Sequence, residues 1–132
     1  MKRMTGVRRI PVPIYGGELV VFHCAHEDLR AHAVGDDVVA AEVERWGDGP
    51  FSGACEVLRS DDSKDDVRWV LLVFVEADQS LRDKRLTAVH EATHLAVRLF
   101  AKIEQSVVPE ADEPFAYLTE WLTKELWRSF GG

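Results

Sequence analysis

Apolar and polar positions divide the chain into a strand-forming first part and a helix-forming last third. Residues 1 to 8 read as a loose, basic start. Ile10-Pro11-Val12-Pro13-Ile14-Tyr15 alternates apolar residues with prolines, which donate no backbone hydrogen bond, so this stretch is expected as an edge strand or extended arm. Gly16-Gly17 signals a turn. Glu18 to Cys24 is a β-branched and aromatic run, expected as a second strand pairing with the first. His26 to Val34 fits a short helix ended by Gly35. Asp36 to Arg45 suits a helix or a strand and is read as a helix. Trp46-Gly47-Asp48-Gly49-Pro50 is a loop. Ala54 to Arg59 and Val67 to Glu76 flank the polar segment Ser60 to Asp66, which predicts a hairpin with a long acidic tip. Val70 to Val75 is apolar without alternation, so that strand is expected to be central and covered on both faces.

The periodicity changes after Ala77. Ser80-Leu81-Arg82-Asp83 fits a capping box that opens a helix. From Leu81 to about Ile103 there is neither Gly nor Pro. Leu86, Val89, His90, Ala96, Val97, Phe100 and Ile103 recur at helical spacing, and this predicts a long helix buried along a broad stripe. Gln105 to Asp112 is a loop. A second helix follows, with Asp112 at its N-cap and Pro114 in the first turn, where the missing N–H costs nothing. It runs through Phe115, Leu118, Trp121, Leu122, Leu126 and Trp127 to Gly131. Strands first and helices last predict one α+β domain over 1–132, with antiparallel N-terminal strands packed on two helices.

Composition narrows the function classes. The 132 residues suffice for one core and are too few for two. A net charge of −7 argues against nucleic-acid binding, which needs a cationic face. Lys2, Arg3, Arg8 and Arg9, and later Arg82, Lys84 and Arg85, read as solvated surface. No apolar run is long enough to span a membrane, and no secretory h-region is visible at the start. A cytoplasmic location is expected. Cys24 and Cys55 lie in apolar, strand-like stretches and read as buried free thiols rather than a disulfide framework.

One motif carries chemistry. His90-Glu91-Ala92-Thr93-His94 sits inside the long helix. Histidines four apart lie one turn apart on one face, so their imidazoles can take two corners of a tetrahedral zinc site. Glu91 lies about 100° around the helix from His90, too displaced to ligate comfortably but able to touch a metal-held water. A buried helix that carries two histidines and a glutamate is costly without a shared purpose. Glu113 and Glu120 are the downstream candidates for a third ligand. They are seven residues apart on nearly one helix face, with Tyr117 between them. Glu120 also fits as a partner that orients a ligating histidine. An oxyanion donor would be sought among Tyr117, Tyr15, His23 and His26. His23-Cys24-Ala25-His26 offers no distant partner for a second metal cluster. His32 reads as surface, and the four tryptophans read as core aromatics. Trp127 and Phe130 are placed where an association patch could form.

The motif and its downstream glutamate resemble the gluzincins, the zinc peptidases of thermolysin-like and aminopeptidase type. In these, H-E-x-x-H is followed after eighteen or so residues by a glutamate that starts a second helix, and eighteen residues separate His94 from Glu113. In the aminopeptidases that glutamate is followed by G-F-A-x-Y, and this chain has Glu113-Pro114-Phe115-Ala116-Tyr117. The resemblance covers roughly Ser80 to Trp127. It implies His90, His94 and Glu113 as zinc ligands, Glu91 as general base, a zincin-like fold, and a peptide or protein substrate. The strand Val67 to Glu76 would fit a layout in which an edge strand near the metal pairs with the substrate. Two departures stand out: Tyr117 replaces the aspartate of thermolysin-like enzymes, and the chain has no room for a second lobe. The whole chain also resembles small H-E-x-x-H proteins of tailed phages, with an I-P-x-Y-G-G strand and D-E-P-x-A-Y-L after the motif. That likeness implies a virion-associated or assembly role as readily as free peptidase activity, and leaves a homo-oligomer or a phage particle as partner.

Overall fold

In the computed structural model, residues 6–63, 66–105, 107–109 and 112–130 are described, without the side chains of 60–68. The chain forms β1 (Gly6–Pro11), β2 (Glu18–Cys24), a 3-10 turn (His26–Asp28), α1 (Leu29–Ala33), α2 (Asp37–Trp46), β3 (Gly53–Ser63), β4 (Asp66–Glu76), α3 (Leu81–Lys102) and α4 (Glu113–Ser129). It is an α+β arrangement of a four-stranded sheet with helices on both faces.

The sheet is mixed, not antiparallel throughout as expected. Its order is β1-β2-β4-β3. β1 pairs antiparallel with β2 and β3 antiparallel with β4, but β2 and β4 run parallel, Val21 beside Val73. The two inner strands are the most apolar, as a sheet buried on both faces requires. Alternation then sorts their side chains. Leu19, Val21, Leu71, Val73 and Val75 join Cys55 and Val57 under α3 and α4. Val20, Phe22, Cys24, Leu72 and Phe74 pack on the other face with Leu29, Val39 and Val43 of α1 and α2. These two helices are those expected within His26 to Val34 and Asp36 to Arg45.

β1 begins earlier than predicted, at Gly6, and the prolines terminate it rather than build it. Pro11 occupies the last pair, opposite Glu18, and Pro13 to Tyr15 make the turn. Gly17 lies at φ 84°, and a Cβ there would stand 2.1 Å from the Trp69 carbonyl oxygen. This close approach lets the turn cross β4.

α3 opens as the capping sequence requires, with the Ser80 hydroxyl accepting from the Asp83 N–H at 3.1 Å. Its buried face is rotated from the predicted stripe. Ala88, Glu91, Ala92, Leu95, Ala96, Leu99 and Phe100 face inward. Leu86, Val89, His90 and Val97 are exposed. Apolar residues lie on both flanks of this helix. The sheet takes the flank with the small alanines, because they let the backbones approach closely. α4 begins at Glu113 with Pro114 in its first turn and buries Leu118, Leu122 and Leu126. Both cysteines are free and buried, on opposite faces of the sheet.

Leu95 is fully buried between α3 and the sheet. Leu95→Ala should cost about 2–5 kcal/mol of stability, read as a lower urea midpoint at unchanged m-value.

Candidate metal centre

The rotation of α3 determines what the motif presents. His90 and His94 project into solvent, their Nε2 atoms 3.2 Å apart. The rings stand nearly perpendicular, at 80°, with centroids separated by 4.6 Å. Two corners of a zinc tetrahedron with bonds of about 2.0–2.1 Å lie about 3.3–3.4 Å apart. The separation matches one edge of such a site, and in the absence of metal it is that of a hydrogen bond between the two rings.

Glu91 turns the other way, inward, and is 6% exposed. Its carboxylate lies under the start of β3. A Cβ on Gly53 would stand 3.0 Å from Glu91 Oε2 and 2.6 Å from Thr87 Cγ2, so the glycine makes the space that the carboxylate occupies. The Cys55 thiol lies beside the same carboxylate, and Arg98 Nη1 donates to its sulfur at 3.5 Å. Burial raises this thiol's pKa well above the ordinary range, and Glu91 raises it further, so at neutral pH Cys55 is a protonated donor. Arg98, one turn beyond His94, donates to the Cys55 carbonyl at 2.6 Å and approaches Glu56 at 3.9 Å. The other buried glutamates have cations for partners: Glu125 meets Arg8 and Arg128, and Glu42 meets Arg45.

α4 does not bring the expected third ligand to the pair. Thr87, Glu91 and Arg98 face β3, and at about 100° per residue His90 and His94 project near that flank. Contacts with α4 come from elsewhere around α3: Arg85 lies over Trp127, and Phe100 packs on Phe115. Glu113 is exposed at the start of α4. Tyr117 and Glu120 line a cavity of about 430 Å³ with Pro13, Tyr15 and Trp121, on the side of the β1–β2 turn. Among the described residues, no three or more His, Cys, Asp or Glu side chains are grouped to hold a metal. His26 pairs with Glu76 at 3.3 Å. His23 is buried with its ring 5.0 Å from that of Phe130.

The free edge of the sheet near the motif belongs to β3, not to β4, which is central. Gly53, Cys55 and Arg98 escape a reading of the motif alone, since they meet Glu91 and β3 only through long-range packing. No protein-family model, curated protein or solved structure matches the chain. Among the described residues no helix is long and apolar enough to cross a membrane.

In the native protein at pH 8, Cys24 and Cys55 should react with iodoacetamide roughly tenfold or more slower than in urea, because only the thiolate attacks. Burial, and less so Asp28 and Glu76, raises the Cys24 pKa from 9.0 to about 12. The unfolded chain therefore loses this proton first. The Cys24 contribution is intact below 9.0 and is lost as pH rises toward about 12. Alkaline urea titrations should show that fall, and Cys24→Ala should lessen it while the Cys55 contribution remains.

Proposed function

We propose that the chain is a zincin-like, zinc-dependent hydrolase of peptide bonds, with His90 and His94 as metal ligands and Glu91 as the base. The observation that carries this reading is the 3.2 Å separation of the two imidazole nitrogens on a helix whose next inward residue is a buried carboxylate. Zinc held there would acidify a bound water toward a pKa of about 7 and polarise a substrate carbonyl. Glu91 is the group that would take the water's proton and return it to the leaving amine. Cys55 and Gly53 fix where its carboxylate lies. β3 is the outer strand of the sheet, and an extended peptide pairing with it would displace Arg98 from the Cys55 carbonyl and Glu56 from the Val57 N–H. Glu113 would serve as the implied third ligand only if the start of α4 crossed to the other flank of α3. Tyr117 lines the cavity beside the β1–β2 turn, and a role in stabilising an oxyanion would need the same crossing.

A second reading has its own support. The engagement of Glu91 by Cys55, together with the distance of α4 from the pair, favours a non-catalytic zinc module, such as a phage structural or assembly protein. Its location would then be the virion rather than the cytoplasm.

Metal analysis joined to a peptide-library assay separates the two. His90→Ala and His94→Ala should each lose zinc. Glu91→Gln should keep it while hydrolysis falls by about 10²-fold or more. Full zinc with unchanged turnover in Glu91→Gln would remove Glu91 from catalysis. Retention of zinc by both histidine variants would refute the site itself.

A further inference from the structure

The outward face of α3 combines an incomplete ligand set with an apolar stripe. Leu86, Val89 and Val97 are exposed by 57%, 44% and 51%. Leu86, His90, Thr93 and Val97 recur at spacings of four, three and four, the pattern with which one helix packs along another. Zinc takes four ligands in a closed site, and this face supplies two of them at the right separation. A two-fold axis through the metal duplicates both the ligands and the stripe. In an antiparallel pair of α3 helices, Leu86 meets the Val97–Arg98 turn and Asp83 meets Ala101, while Arg82 falls level with Lys102.

We propose that zinc on His90 and His94 is completed by the same two histidines of a second copy of this chain, giving a metal-bridged homodimer. The inference rests on the zinc reading above and adds regulation to it. The dimer has four imidazoles and no open position, so the hydrolytic form is the monomer. Each copy carries a net charge of −7, which repels its twin, and the metal is therefore what holds the pair together.

The test uses the tag-free full chain, titrated with zinc and followed by sedimentation velocity and elemental analysis. At sub-stoichiometric zinc the mass should double from 14.9 kDa, with about one zinc per two chains as a shared tetrahedral site requires. EDTA should reverse it. Val97→Glu, at an exposed position, should keep the fold and bind zinc as a monomer, while His90→Ala should lose both zinc and dimer. A monomer with one zinc per chain overturns the dimer and leaves the zinc reading standing. A dimer that survives EDTA or the His90→Ala substitution overturns the bridging role. Absence of zinc binding removes both readings.

Discussion

The seating of α3 on the sheet is the constraint from which the candidate site follows. Leu95 and Leu99 fill the space above β3 and β4, and three alanines at every fourth position bring the backbone close. This contact fixes the rotation of the helix. Once fixed, side chains three or four residues apart have no freedom over which way they face. Glu91 must go in, and His90 and His94 must stay out. The motif is thus split by packing into a buried carboxylate and an exposed pair of imidazoles.

Burying a carboxylate without partners is expensive, and the surroundings of Glu91 offset that cost in an unusual way. Where Glu42 and Glu125 are met by guanidinium groups, Glu91 has the Cys55 thiol beside it. A thiol is a weak donor, worth less than a charge-assisted partner. The arrangement keeps the carboxylate buried on one flank of a helix whose exposed face presents two nitrogen donors. Arg98 meets the Cys55 carbonyl rather than the Glu91 carboxylate, and so braces the strand against the helix.

Much of this was legible from local patterns. The bounds of β2, the Ser80 cap, the proline start of α4 and the helical reading of Asp36 to Arg45 all rest on short-range chemistry, and the structure agrees with them. The approach of His90 to His94 follows from a spacing of four. What escaped depends on distant partners. Apolar runs such as Glu18–Cys24 and Asp66–Glu76 do not state whether they pair parallel or antiparallel, so the mixed sheet and the edge position of β3 were not readable. The rotation of α3 is not legible in the sequence, because Leu86, Val89 and Val97 look as buriable as Leu95 and Leu99. The place of Glu113 depends on which flank of α3 receives α4, and spacing along the chain carries no information about that.

The alanine track of α3 has a mechanical meaning. Ala88, Ala92 and Ala96 are fully buried and present only methyl groups to their surroundings, so they act as spacers that set the height of the helix above the sheet. The histidines ride on the opposite side of a rigid rod, and any lift or roll of that rod reaches them undiminished. A larger side chain at one of these three positions would re-aim the imidazoles without touching either. The site's alignment is therefore stored in the smallest side chains of the helix, well away from the atoms it aligns.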